Sequence, residues 1–153
     1  MIRTIRHTGI VVTKMERALE FYRDLMGLKV VFDKKLGGDE FFGKLIALPG
    51  VRMRLVMLQA EDGNKVELFE FYSHPKKARE TVETSDIGCS HIAVSVDDLD
   101  AVYEKLSRKG IRFNNTPVVS PDGYAKVAYC RDPDGTFIEV VQILDIGKNP
   151  YDD

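Results

Sequence analysis

An internal repeat constrains the fold of this chain more than any other feature of its sequence. Residues 7–12 read His-Thr-Gly-Ile-Val-Val and residues 91–96 read His-Ile-Ala-Val-Ser-Val, so two strand-like runs each begin with histidine. After each run, apolar residues recur at helical spacing up to a glycine, Gly27 in the first copy and Gly110 in the second. Internal repetition fixes architecture, and two units of the same design are therefore expected.

The ends of the two copies match as well. Residues 62–67 and 134–139 both read Asp-Gly-x-x-x-Glu, which is typical of a turn that leads into a strand. In each copy one further strand is predicted after the helix and another before this turn, at residues 28–33 and 51–58 in the first copy and at residues 111–114 and 124–130 in the second. Each half is therefore predicted to be a βαβββ module.

The module boundaries follow from the same alignment. The first module is predicted at residues 1–80 and the second at residues 88–145, with a polar connector between them and a tail at residues 146–153. The first half is longer because of a surplus near residues 37–50, which has the pattern of a short amphipathic helix. This insertion is interpreted either as a lid over a cleft or as an extra packing helix.

Composition and charge exclude several classes of function. The chain has 153 residues, 30% of them charged, with a formal net charge of −2, so it lacks the basic field of a nucleic-acid-binding protein. No apolar stretch approaches the roughly 20 residues that span a bilayer, and no signal-peptide pattern is visible. The two cysteines, Cys89 and Cys130, lie outside any CxxC pair, which favours a reducing cytoplasm over a disulfide framework. A cytoplasmic protein with a small-molecule substrate is expected.

Four residues occupy equivalent places in the repeat. His7 and His91 begin equivalent strands, and Glu67 and Glu139 lie in equivalent last strands. A single histidine or glutamate in a strand is usually a hydrogen-bonded or solvated polar residue. Here the same residue types recur at both equivalent positions, and each glutamate stands among apolar neighbours, where an unpaired carboxylate is costly. If the halves pack about a pseudo-twofold axis, the four side chains suit one divalent ion such as Zn, Ni, Co, Mn or Fe(II).

The sequence resembles the vicinal oxygen chelate superfamily, which includes glyoxalase I, methylmalonyl-CoA epimerase, extradiol dioxygenases and the fosfomycin and bleomycin resistance proteins. The resemblance covers roughly residues 5–144. It is carried by His-Thr-Gly-Ile-Val-Val, Ala-Leu-Glu-Phe-Tyr-Arg-Asp-Leu-Met-Gly-Leu, Ser-His-Ile-Ala-Val-Ser-Val and Arg-Asp-Pro-Asp-Gly-Thr-Phe-Ile-Glu. It implies an α+β fold in which two paired βαβββ modules form an open, curled mixed sheet around a metal cleft.

The residue types at the four candidate metal-binding positions indicate which reaction of the superfamily to expect. Ligating residue types stand at all four positions, which resembles glyoxalase I and implies a metal-dependent lyase or isomerase that transfers a proton next to a metal-chelated carbonyl. The alternatives are a methylmalonyl-CoA epimerase-like enzyme, an Fe(II) extradiol-type dioxygenase, and a non-catalytic resistance protein that binds a small molecule. The resemblance also favours a homodimer, the commonest symmetric oligomer.

Candidates for the remaining roles come from the same patterns. The resemblance implies that a metal-bound glutamate can act as the base, and Glu139 matches that position with Glu67 as its partner. A hydroxide ion on the metal, or Glu40 from the insertion, is the alternative base. Three basic residues, Arg52, Arg54 and Lys126, would contact an anionic substrate if their strand faces line the cleft.

Overall fold

The computed structural model describes residues 1–38, 40–75 and 82–147. It divides into two compact units, Met1–Arg79 and Glu80–Asp153. The end of the predicted first module and most of the predicted tail, residues 146–153, lie outside the described residues.

The first unit is one four-stranded mixed sheet with helices in its connections. Its elements are β1 (Thr8–Val11), α1 (Met15–Leu19), β2 (Lys29–Gly37), α2 (Glu40–Leu45), β3 (Arg52–Gln59) and β4 (Lys65–Phe71). The strand order is β1-β4-β3-β2. β1 runs parallel to β4, while β3 is antiparallel to both β2 and β4. The first and last strands of the module are therefore neighbours.

The second unit repeats this topology. Its elements are β5 (His91–Ser95), α3 (Leu99–Arg108), β6 (Val118–Val119), β7 (Ala125–Arg131) and β8 (Phe137–Ile143). The strand order is β5-β8-β7-β6, with β5 parallel to β8 and the other pairs antiparallel. The two four-stranded mixed sheets confirm the predicted α+β class and the βαβββ repeat.

The helix predicted after β1 is present, but its geometry changes midway. α1 ends at Leu19 and a π-helical stretch, Glu20–Leu25, continues from it. The Met26 N–H donates to the Phe21 carbonyl, five residues earlier, at 2.9 Å. The stretch ends at Leu25, and two residues later Gly27 has a φ of 82°, a left-handed conformation that favours glycine. Apolar spacing predicted the helix correctly but does not distinguish α from π geometry.

The strand predicted at residues 111–114 is wrong. That segment forms a single bridge, Phe113 to Cys130, and the edge strand is instead the short β6. The side chain of Asn115 takes the place of a strand backbone, since its amide donates to the Val127 carbonyl and accepts from the Tyr129 N–H at 3.2 and 3.1 Å. The asparagine side chain thus satisfies the Val127 carbonyl and the Tyr129 N–H, which a neighbouring strand would otherwise have paired.

The insertion at residues 37–50 contains the predicted short helix, α2. Phe41 and Leu45 on this helix are 65% and 64% exposed. Gly43 is buried, and a Cβ there would come within 3.3 Å of the Leu48 carbonyl oxygen, so the helix turns tightly against the chain that follows it. Its use as a lid stays a prediction.

Each sheet buries one face and leaves the other partly open. On the helix-covered face, Leu58 and Leu68 of the first unit and Ala128 and Val140 of the second are all 0% exposed. On the opposite face of the first sheet, Val11 is 56% exposed. This less buried surface is called the open face below. Among the described residues, no helix is both long and apolar enough to cross a membrane.

Candidate metal centre

The first module brings His7 and Glu67 together. The parallel ladder sets Gly9 of β1 opposite Glu67 of β4, and His7, two residues before Gly9, projects from the same side of the sheet. His7 Nε2 lies 3.1 Å from Glu67 Oε2, and the two side chains are 31% and 13% exposed. The topology of the module therefore forms a partly buried His–Glu pair on the open face.

The second module forms an equivalent pair from His91 and Glu139. Here Ala93 lies opposite Glu139, and His91 again lies two residues earlier in the strand. His91 Nε2 is 3.0 Å from Glu139 Oε2, with side-chain exposures of 33% and 20%. The same strand offset, atoms and separation recur, so the sequence repeat is also a repeat of side-chain geometry.

The donor atoms of each pair suit a divalent ion. Imidazole nitrogen and carboxylate oxygen bind Zn, Ni, Co, Mn and Fe(II). Within the described part of the chain, the Nδ1 atom of His7 is a buried side-chain nitrogen without a hydrogen-bond partner. No group of three or more His, Cys, Asp or Glu residues among the described ones is placed to hold an ion. Each pair thus fits half of a four-donor site, and the gathering of all four residues stays a prediction.

The sequence analysis missed Tyr129, which lies beside the second pair. It is directly opposite Glu139 in the β7–β8 ladder, and its hydroxyl is 3.5 Å from His91 Nε2. Burial, followed by the charge of Glu139, raises the pKa of the Tyr129 phenol. Strand alternation alone groups Tyr129 with Val127, and the register of the β7–β8 pair places both on the face of Glu139. In the first module Met57 stands opposite Glu67.

Arg52, Arg54 and Lys126, the predicted substrate contacts, lie on the sheet faces opposite the two His–Glu pairs. Arg54 lies opposite Glu70 and Lys126 lies opposite Gln142, whereas Glu67 and Glu139 project from the other side of their sheets. Strand alternation places Arg52 on the same face as Arg54. Met53, Leu55 and Met57 share the face of Glu67, whereas Arg54 shares the helix-covered face. The predicted anionic character of the substrate loses its basis.

Arg54 and Lys126 both have acidic partners on the helix-covered face. Arg54 donates to both carboxylate oxygens of Asp33, at 2.8 and 2.7 Å, and forms an ion pair with Glu16 of α1. This bidentate contact lowers the pKa of Asp33. Lys126 is 2.6 Å from Asp100 of α3. In both modules the basic residue connects the sheet to its own helix.

Glu70 and Gln142 have equivalent structural roles. Glu70 accepts from the N–H of Met15, the first residue of α1, at 3.1 Å, and Gln142 accepts from the N–H of Leu99, the first residue of α3, at 3.0 Å. The free N–H groups of a helix start need such acceptors. Glu70 therefore holds α1 on the sheet, on the face opposite Glu67.

Replacement of Arg54 by alanine is expected to affect stability and not metal uptake. Loss of the bidentate contact to Asp33 should lower the free energy of unfolding by about 1–2 kcal/mol, measured by urea denaturation. Arg52 is exposed, and Arg52→Ala is the matched control, with an expected change below about 0.5 kcal/mol. An Arg54→Ala protein of full stability that binds substrate poorly would restore the cleft assignment.

Comparison with known proteins agrees with this architecture. Residues 4–140 match the model of the Glyoxalase/Bleomycin resistance protein/Dioxygenase superfamily. A 2-epi-5-epi-valiolone epimerase from an Actinomyces species is 28% identical over 145 residues, 91% of this chain and 79% of that protein. A probable lactoylglutathione lyase from Synechocystis is 28% identical over 139 residues, 89% of this chain and 92% of its own.

A solved structure shares the fold. A glyoxalase family protein from Bacillus cereus superposes with a TM-score of 0.86 at 22% identity, covering 95% of this chain and 97% of that one. The family model spans both βαβββ modules and includes all four residues of the two His–Glu pairs. Glu67, His91 and Glu139 lie in strands β4, β5 and β8, and His7 directly precedes β1. The chain therefore belongs to the Glyoxalase/Bleomycin resistance protein/Dioxygenase superfamily.

Proposed function

We propose that the protein is a divalent-metal-dependent enzyme of the glyoxalase I type, a lyase or isomerase that transfers a proton next to a carbonyl group of a small substrate. The repeated His–Glu pair carries this proposal, since both modules present the same two donors 3.0–3.1 Å apart on their open faces. One ion, such as Ni, Co, Zn, Mn or Fe(II), would be held by His7, Glu67, His91 and Glu139. When bound, it polarises a carbonyl oxygen of the substrate.

The proton itself is moved by a side chain of the protein. We assign this role to Glu139, with Glu67 as its pseudosymmetric counterpart, because both carboxylates are largely screened from solvent at 20% and 13% exposure. Positioned general bases contribute about 10²–10⁴-fold to a rate. The alternative base, Glu40, is 85% exposed and lies 2.6 Å from Lys44, which favours the paired glutamates.

Epimerisation is the second candidate reaction. A relative that is 28% identical over 91% of this chain is named an epimerase. Inversion at a carbon next to a carbonyl needs the same two elements, a polarised oxygen and a base that removes the proton. The difference lies in the product, because an epimerase returns the proton to the same carbon on its opposite face.

The test combines metal content with solvent exchange. The purified protein is expected to bind one divalent ion per set of four donors and to incorporate deuterium from heavy water into a small 2-oxo or CoA-thioester compound. Oxygen consumption with Fe(II) would replace this function with dioxygenase chemistry. A protein that takes up no ion from a panel of Ni, Co, Zn, Mn and Fe(II) would replace it with non-catalytic binding.

The assembly we propose is a homodimer. Each pair supplies half of the donor set, and symmetric dimers are the commonest oligomers. The second pair can come from the same chain or from a partner chain. Sedimentation equilibrium at micromolar concentration is expected to give twice the 17.3 kDa chain mass, and a monomer there would contradict the proposal.

A further inference from the structure

The two His–Glu pairs differ at the ring nitrogen that faces away from the carboxylate. In the second module His91 Nδ1 lies 2.7 Å from the hydroxyl oxygen of Ser90. In the first module the preceding residue is Arg6, and among the described residues the buried Nδ1 of His7 has no hydrogen-bond partner. The two histidines therefore share the carboxylate contact at Nε2 but differ in the surroundings of Nδ1.

This difference matters because a neutral imidazole carries one N–H. While Nε2 donates to the glutamate, Nδ1 is an acceptor. When Nε2 is a metal ligand, the hydrogen must move to Nδ1, which then needs an acceptor. A serine hydroxyl can both donate and accept, so Ser90 satisfies Nδ1 of His91 in either tautomer. Among the residues that the structure describes, the buried Nδ1 of His7 has no such group.

We infer that Ser90 is a positioning residue that orients His91 and stabilises the tautomer in which Nδ1 carries the hydrogen and Nε2 is free to bind a metal. The second module then supplies the better-organised half of the metal site. The inference rests on the proposed metal dependence. It implies that the two halves contribute unequally to affinity, although their His–Glu separations, 3.0 and 3.1 Å, are nearly the same. Loss of the hydrogen-bond partner of a metal-binding histidine typically weakens metal binding about 10–100-fold.

The experiment compares zinc affinity, measured by chelator competition, across three variants of the full chain. Ser90→Ala is expected to weaken zinc binding about 10–100-fold, and Ser90→Thr, which keeps the hydroxyl, is expected to restore it. Ser73→Ala is the matched control, because Ser73 Oγ lies 2.9 Å from Nδ1 of His74, a histidine outside both pairs. This control should leave zinc affinity unchanged.

A second measurement separates positioning from a general loss of structure. Long-range ¹H–¹⁵N spectra of the histidine rings report which nitrogen carries the hydrogen. In the wild-type protein, zinc should move the His91 hydrogen from Nε2 to Nδ1, and in the metal-free protein Ser90→Ala should shift the Nδ1 resonance of His91 while leaving His7 and His74 unchanged.

The outcomes distinguish this inference from the proposed function. Wild-type protein that binds no zinc or other divalent ion overturns both. Zinc binding that is equally tight in wild type and Ser90→Ala overturns the role of Ser90 and leaves the metal site standing. An Nδ1 resonance of metal-free His91 that does not respond to Ser90→Ala has the same consequence.

Discussion

His7→Ala and His91→Ala are each expected to lower metal affinity by more than about 100-fold, beyond the range usual for loss of an outer-shell partner. Each substitution removes one imidazole donor and the contact of that histidine with its glutamate, which spans 3.1 or 3.0 Å in the intact pair. Metal content after gel filtration and competition with a chelator measure the effect. Two variants that keep full metal content would show that the four-residue assignment is wrong.

A mixture of the two variants tests how the site is completed. If each site takes one pair from each of two chains, a dimer of one His7→Ala chain and one His91→Ala chain contains one site with both lesions and one intact site. Unfolding and refolding the two variants together should then restore metal binding in the mixed dimers.

If each chain completes its own site, every site in the mixture carries one lesion and no binding returns. Each variant unfolded and refolded alone is the matched control, because every four-residue site that it can form, within one chain or across two, lacks a histidine. Recovery with that control would indicate that refolding, and not exchange of modules, restores the metal.

The His–Glu pairs were predictable because two signals agreed. The repeat identified equivalent positions, and a βαβββ module that sets its first and last strands side by side brings its histidine to its glutamate. The sequence could not predict whether the four residues gather at one ion, because the pattern within each module contains no information beyond that module.

The face of Arg54 shows a different limit. Strand alternation correctly grouped Arg54 with Val56 and separated it from Met57, but it does not say which group meets the helix. Apolar residues occupy both faces of β3, since Met53 is 1% exposed and Val56 is 0% exposed. The observed contact of Arg54 with Glu16 of α1, and that of its neighbour Glu70 with Met15, decide the face. A similar ambiguity hid Tyr129, whose position depends on the register of the β7–β8 hairpin.

Glu139→Gln is expected to lower turnover by about 10²–10⁴-fold while retaining much of the bound metal. Glutamine keeps an oxygen that can ligate an ion but cannot accept the substrate proton as a carboxylate does. Glu67→Gln is the matched variant in the other module. The surroundings of the two carboxylates differ, because Glu139 lies opposite Tyr129 and Glu67 lies opposite Met57.

The measurement is deuterium exchange at the carbon next to the carbonyl, in metal-loaded protein with a substrate found by solvent-exchange screening. Loss of exchange in Glu139→Gln at full metal content, with retained exchange in Glu67→Gln, identifies Glu139 as the base. Exchange at the wild-type rate in metal-loaded Glu139→Gln excludes it. The base is then Glu67 or the exposed Glu40 of α2, and Glu67→Gln and Glu40→Gln distinguish these two, because only loss of the true base abolishes exchange without loss of metal.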